Sequence, residues 1–342
     1  KGTMEKKLRV GVVGVGGISE SHIAGYKADP RVELAAFCDI NEERLKEKGK
    51  RHGVTRLFTD VREMVKMPDL DAVSVCTWNS AHAPCTIAAL EAGKHVLCEK
   101  PMAMNTAEAE AMREAARKSG KLLMIGFVRR FGNDCAVVQD FQREGYFGEL
   151  YYAKATYLRR NGCPGGWFGD KSRSGGGPLI DLGVHVIDLT RYLLGNPQPV
   201  SVYGATFRKL GNRPDIKTGV VYAASDKGDA DIFDVEDLAT AMIRFDNGAV
   251  LSIEASFSLN IEKDEGKIEL FGTKAGAKMD PELTLYSQTA GYMTNTTIAT
   301  GTALDFNGLF EREIAHFVSC ATGEESVCRA PAGDGITLMK IL

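Results

Sequence analysis

Short β-rich runs alternate with helix-like stretches through the first 127 residues, and no other feature of the chain restricts its fold as much. The β-rich runs are Leu8–Val13, Val32–Cys38, Ala72–Thr77, His95–Cys98 and Leu122–Phe127, with a shorter one at Leu57-Phe58. Between them the spacing predicts helices over Ser19–Ala28, Asn41–His52, Val61–Lys66, His82–Ala92 and Thr106–Ser119. Gly93 and Gly120 stand just past two of these, where a left-handed residue ends a helix. Strands joined through helices run parallel, so helices must cover both faces of one sheet.

The pattern changes after Phe127. Helices are expected over Asn133–Gly145 and from Pro178 to Leu194, the second ended by Gly195. Strands are expected at Leu150–Arg159, Val200–Phe207, Lys267–Phe271 and Leu283–Tyr286. Leu238–Phe245 and Ala249–Phe257 flank Asp246-Asn247-Gly248, a hairpin turn signal. Strands without intervening helices form a mostly antiparallel sheet, and a helix near Leu309–Cys320 is expected to pack on it. The fold class is therefore α/β: a doubly wound parallel sheet over 4–127, then an α+β domain with an open sheet over 128–342. A length of 342 residues agrees, at roughly 150 residues per domain. The polar segment Lys209–Asp231 lacks periodicity, and so long a loop is functional or disordered.

Charge and cysteine content exclude several classes. Lys and Arg total 42 against 45 Asp and Glu, so no basic surplus points to nucleic acid. No apolar run approaches the ~18 residues that span a bilayer. The start, Lys6 to Val13, imitates a signal peptide, but Gly11, Gly14, Gly16 and Gly17 break its apolar part and no cleavage site follows. Lys1-Gly2-Thr3 before Met4 reads as an expression remnant. None of the eight cysteines forms a C-x-x-C pair, and Cys38, Cys76 and Cys98 lie in apolar runs. The expectation is a reducing cytoplasm, with neither a disulfide framework nor a metal site.

Gly14-Val15-Gly16-Gly17-Ile18-Ser19 follows the first strand and opens a helix. The first glycine permits a tight turn and the second lets the backbone approach a pyrophosphate, which would rest on the helix N-terminus. Ser19 stands where a glycine or alanine is usual. Asp39 ends the second strand, where an acid accepts from ribose hydroxyls and repels a 2′-phosphate. NAD is favoured over NADP on that ground. The alternative is a glycine turn in a generic sheet, with Asp39 capping the next helix.

Two distant segments carry candidate chemistry. Lys100 follows the strand from His95, and ligands of such sheets bind beyond the carboxyl ends of strands. Position alone leaves it equally a surface lysine. Asp181 and His185 are four apart on one predicted helical face, beside Gly175-Gly176-Gly177. An acid and an imidazole so placed suit proton transfer; a core histidine satisfied by Asp181, or a metal site completed by Asp188, are the other readings.

Together these motifs resemble the Gfo/Idh/MocA family of glucose–fructose oxidoreductases, inositol dehydrogenases and rhizopine-catabolism proteins, over nearly the whole chain. The family's TPN-x-x-H loop is similar to Thr77-Trp78-Asn79-Ser80-Ala81-His82, with Trp78 for the usual proline. Its aGKHVlcEKP motif stands nearly intact as Ala92–Pro101, and its GGG-x-l-x-D-x-G-x-H-x-x-D motif matches Gly175–Asp188. The resemblance implies catalytic Lys100 and His185, with Asp181 orienting the histidine or binding a neighbouring hydroxyl. It implies cofactor contacts from Gly14, Gly16, Gly17, Ile18, Asp39, Thr77, Asn79, His82, Glu99 and Lys100. Arg159 and Trp167 are implied to line the substrate pocket, and Arg130 to be structural.

The implied activity is NAD-dependent hydride transfer from a cyclic polyol or sugar carbinol, in a cytoplasmic homodimer or homotetramer, with no nucleic-acid or membrane partner. An NAD-retaining glycosidase acting by transient oxidation and elimination, or a cofactor-sensing regulator without catalysis, are the competing expectations.

Overall fold

The structure is a computed structural model that describes residues 6–217, 219–220, 222–228 and 231–342. The leading Lys1 to Met4 of the sequence reading lie outside them, as do four positions of the 209–231 segment. The chain forms two compact units, and the second begins at Arg129.

In the first unit β1 (Leu8–Val13), β2 (Val32–Cys38), β3 (Leu57–Phe58), β4 (Ala72–Val75), β5 (His95–Glu99) and β6 (Leu123–Gly126) form one sheet. Its order is β3-β2-β1-β4-β5-β6, and every pairing is parallel. The helices between them are α1 (Ser19–Ala28), α2 (Glu42–His52), α3 (Val61–Met64), α4 (Asn79–Glu91) and α5 (Thr106–Ser119). Strands covered on both faces need apolar residues throughout, and every residue of β4 and β6 is buried. Helix ends follow local chemistry. The Asn41 side chain accepts from Arg44 N at the start of α2, and Asn105 accepts from Glu108 N at the start of α5. Gly53 and Gly120 close the same helices at φ of +73° and +68°.

The helix expected near Leu309–Cys320 is α9 (Phe306–Thr322), and it differs from expectation in its partner. From Phe310 onward it belongs to the parallel-sheet unit, as does the chain up to Met339 within α10 (Ala332–Ile341). Gly25 on α1 is the physical reason. A Cβ there would stand 2.8 Å from Ile314 Cγ1, so the missing side chain is the seat for Ile314. Arg31 fastens the contact, donating to Ser319 Oγ and to the Ala315 carbonyl. Beyond α9, Ile125 N donates to the Ala330 carbonyl, which covers part of the sheet edge at β6.

The second unit is built on an eight-stranded sheet. Its strands are β7 (Leu150–Leu158), β8 (Pro199–Phe207), β9 (Leu238–Phe245), β10 (Val250–Ser256), β11 (Glu265–Gly272), β12 (Gly276–Met279), β13 (Thr284–Thr289) and β14 (Tyr292–Thr297). The order is β14-β13-β12-β11-β7-β10-β9-β8, antiparallel except for β7 with β10. The helices α6 (Asn133–Arg143), α7 (Lys171–Ser174) and α8 (Val184–Leu193) complete it. One sheet face is core, with Ala153, Ala155, Ile243, Leu251 and Ile253 buried. The opposite face is open along the cross-strand row Tyr203, Met242, Ser252, Lys154 and Glu269. Helix-like spacing from Pro178 gives not one regular helix but a π-helical turn, Leu179–Gly183, that runs into α8. Apolar periodicity reports which face is buried and is nearly blind to a hydrogen-bond offset of one residue.

Overpacking the α1–α9 seat is expected to cost about 1–3 kcal/mol. Gly25→Ala should lower the unfolding midpoint accordingly, and Ile314→Ala in the same chain should be less than additive with it. Denaturant unfolding of the four-member cycle checks this.

Candidate active site

The turn after β1 shows why glycines stand there. Gly14 has φ +83°, and a Cβ on it would lie 2.7 Å from the Cys76 carbonyl oxygen. No other residue fits both demands. At Gly16 a Cβ would meet nothing within 4 Å, so the turn offers open space on that side, and Gly17 is exposed. Ile18 occupies the N-cap of α1. An isoleucine side chain has no acceptor to offer, so the positive end of the helix dipole remains for an anion, while Glu20 N and Ser21 N donate back to the Gly17 and Ile18 carbonyls. Asp39 holds the turn from β2: its Oδ2 accepts from Val15 N at 2.9 Å and its Oδ1 from Asn41 N at 2.8 Å. Arg44, which the sequence reading did not single out, places its guanidinium 3.9 Å from the same carboxylate. Open space, a helix N-terminus and an acid at the β2 end fit the pyrophosphate and ribose of a dinucleotide.

The strand ends β4 and β5 carry the other candidates of this unit. Thr77 and Asn79 stand at and inside the start of α4, Thr77 half-buried and Asn79 buried. His82 departs from the expected cofactor contact. It is 1% exposed, and its Nδ1 lies 2.6 Å from the Pro101 carbonyl and its Nε2 3.1 Å from the Thr77 carbonyl. It therefore ties the β4 loop to the β5 loop. Burial holds its pKa below the ordinary histidine value, so the neutral ring donates through one nitrogen, toward the nearer carbonyl of Pro101. Glu99 departs likewise. It is buried, accepts from Lys100 N at 3.1 Å and pairs with His22 Nε2 at 2.7 Å. Two further residues of the Ala92–Pro101 motif are also architectural. Lys94 Nζ donates to the Met67 carbonyl and His95 Nδ1 accepts from Leu122 N. Lys100 is the half-buried member that remains.

In the second unit the glycine run prepares the Asp181–His185 turn. Glu236 accepts from Gly177 N at 2.9 Å and from Leu179 N at 3.2 Å, so its carboxylate caps the first turn. A Cβ on Gly177 would lie 2.2 Å from the Glu236 carbonyl oxygen. The sequence reading missed Glu236, because nothing in its local pattern marks a cap fifty-nine residues away. Asp181 sits in the π-helical turn and His185 in the first turn of α8, both half-buried. Asp188 is not available to complete a metal site with them. Arg130 and Asp188 are buried and bidentate at 3.0 and 2.7 Å, with the guanidinium 4.4 Å over the Tyr192 ring.

Arg159 donates to the Gly162 carbonyl and lies 5.5 Å over the Tyr157 ring. Trp167 stacks on Phe168 at 4.0 Å, and Phe168 meets Tyr222 edge to face. Tyr222 belongs to the polar 209–231 segment. Burial, then the charge of Asp181, raises its pKa. Asp237 organises the segment's start, accepting from the amides of Lys209, Leu210 and Gly211.

Two family models match the chain. An oxidoreductase family with an NAD-binding Rossmann fold matches residues 8–127, and the GFO/IDH/MocA C-terminal domain matches residues 136–278. The chain belongs to the Gfo/Idh/MocA family of NAD-binding oxidoreductases. It is 37% identical over 277 residues to the D-glucoside 3-dehydrogenase of Escherichia coli strain K12, covering 80% of this chain and 77% of that one. It is 30% identical over 270 residues to the myo-inositol 2-dehydrogenase of Thermotoga maritima, covering 78% and 73%. Among solved structures, levoglucosan dehydrogenase in complex with NADH and levoglucosan superposes with a TM-score of 0.83 at 27% identity, covering 98% of this chain and 95% of that one.

Removing one partner of the buried Arg130–Asp188 pair leaves an uncompensated charge, at a cost of about 3–5 kcal/mol. Asp188→Ala is expected to be destabilised by that much, and Arg130→Met with Asp188→Leu to recover most of it. Chemical denaturation of single and double variants measures the difference.

Proposed function

We propose that this oxidoreductase is a dehydrogenase of a sugar or cyclic polyol, taking hydride from a ring carbinol to NAD. The observation that carries the reading is how the motif residues divide. Glu99, His82 and Asp188 are buried within their units, while Lys100 just past β5, Asp181 in the π-helical turn and His185 in the first turn of α8 are each half-buried. The dehydrogenase names of the relatives favour hydride transfer over the elimination and regulator readings.

When bound, the nicotinamide supplies the hydride acceptor. The Lys100 ammonium binds the substrate hydroxyl and stabilises the negative charge that develops on its oxygen. His185 takes the hydroxyl proton, as an imidazole whose ordinary pKa lies near neutrality can. Asp181 orients His185 or binds a neighbouring hydroxyl. Asp39 accepts from the ribose hydroxyls, Gly14 to Ile18 receive the pyrophosphate, and Thr77 and Asn79 line the cofactor from the β4 end. Arg159 and Trp167 present hydrogen bonds and an aromatic face to a sugar ring.

A second copy of the chain is the proposed partner, as homodimer or homotetramer, on the open sheet face where Tyr203 is 84% and Met242 50% exposed. The cytoplasm is the proposed compartment: all eight cysteines are free, and burial pushes the Cys38 thiol up to about 12.

Lys100→Ala and His185→Ala should each lower turnover on the substrate found by an NAD-linked screen of glucosides and inositols, by about 10²-fold or more. Near wild-type turnover in either variant removes that residue from the site. Asp39→Ala should weaken NADH more than NADPH in fluorescence titrations of cofactor-stripped protein; equal losses would leave it only the role of anchoring Val15.

A further inference from the structure

Behind the Lys100 turn, the first unit holds a polar cluster that the proposed chemistry does not use. His22 on α1, Glu99 at the end of β5 and Glu313 on α9 are buried, and an atom from each lies within 4.8 Å of the others. The hydroxyl of Tyr26 is 2.5 Å from Ser74 Oγ, and Ser74 Oγ is 2.9 Å from His22 Nδ1. His22 Nε2 is 2.7 Å from Glu99 Oε1, and Lys100 N donates to Glu99 Oε2. One assignment satisfies all of them. Tyr26 donates to Ser74, Ser74 to Nδ1, Nε2–H to Glu99, with the ring neutral and Glu99 ionised.

That assignment leaves Glu313. Both of its oxygens are buried and neither has a hydrogen-bond partner. A second carboxylate here would face the Glu99 carboxylate out of water, and one proton is the smallest change that removes the repulsion. The same proton turns an orphaned acceptor into a donor toward Glu99. The other titratable groups around the cluster are Tyr26 and His22 on α1, Cys76 and Cys98 at the ends of β4 and β5, Lys100, and His82 on α4, which burial keeps neutral. Burial keeps Tyr26, Cys76 and Cys98 neutral, and with the His22 ring neutral only Lys100 is left to balance a carboxylate.

We propose that Glu313 is a positioning residue for Lys100: a neutral carboxylic acid that donates to Glu99 and, through Glu99, fixes the backbone from which Lys100 projects. The role in catalysis rests on Lys100 acting as proposed above; the proton on Glu313 does not. Burial, then the charge of Glu99, pushes the Glu313 carboxyl well above the usual range. Burial pushes Glu99 the same way, but the hydrogen bond from His22, then the charge and backbone amide of Lys100, bring it below its ordinary value. The two acids therefore divide one proton unequally.

The sign for stability follows. As pH rises past the ordinary Glu range, the unfolded chain loses the Glu313 proton and the folded chain keeps it, so stability falls until the raised value is reached. The test compares unfolding of the full wild-type chain and Glu313→Gln across that window. The wild-type folding constant should fall relative to the variant by about tenfold per pH unit. A difference that does not change with pH overturns the proposal. In infrared spectra at neutral pH, the wild type should show a carboxylic-acid carbonyl band that Glu313→Gln lacks; identical spectra overturn it too. Glu313→Leu, which cannot donate, should lose turnover by about tenfold with KM little changed, and Gln should restore it along with the wild-type pH profile. If Gln fails as Leu does, the carboxylate form is required and the proposal falls. A stoichiometric metal ion that copurifies with the wild type and is lost in Glu313→Gln would also overturn it. Full turnover in Lys100→Ala would instead remove the dehydrogenase site and leave the pH series standing.

Discussion

Gly14 sets the geometry on which the first unit depends. Its positive φ turns the chain at the end of β1, and the Cys76 carbonyl at the end of β4 leaves no room for a side chain. The central strands can therefore close on each other at their carboxyl ends without a bulky residue between them. Everything proposed for the cofactor sits around that closure: the open side of Gly16, the N-terminus of α1 and the carboxylate of Asp39. A tight turn required by packing is also what brings backbone donors to one place.

The residues around this closure serve architecture and chemistry at once. Asp39 is proposed as the ribose acceptor, yet it already accepts two backbone amides. His82 and Glu99, expected to touch the cofactor, are bonded within loops in which Thr77, Trp78 and Lys100 are half-buried. In the second unit Glu236 caps the turn that carries Asp181, and Arg130 keeps Asp188 out of any metal set. A residue fixed by packing and hydrogen bonds can hold a neighbour to a fraction of an ångström, which a solvated one cannot.

Alternation of strands and helices, with glycines past Glu91 and Ser119, makes the parallel sheet legible in the sequence alone. The motifs around Lys100 and His185 were legible for a different reason, since their spacing is local. What stayed hidden was non-local or spectrally silent. Ile314 gives no sign in sequence that its seat is Gly25, because a missing side chain looks the same wherever it lies. Glu236 and Tyr222 come from segments without periodicity. Strand β14, Tyr292-Met293-Thr294-Asn295-Thr296-Thr297, is largely exposed and so carries no apolar alternation to read. The π-helical turn preserves the burial pattern of an ordinary helix and changes only its bonding.

The return of α9 to the parallel-sheet unit makes that unit discontinuous in the chain. During synthesis its six strands leave the ribosome first, and Arg129 to Leu309 of the second unit follow before Glu313 and Ile314 exist. Until then the seat at Gly25 is empty, His22 and Glu99 face an unfilled cavity, and the β6 edge lacks its cover from Ala330. Domains generally fold as they emerge. This one must wait for its own last piece, so a nascent or C-terminally shortened chain presents an unfinished core and a bare sheet edge to chaperones and to its neighbours.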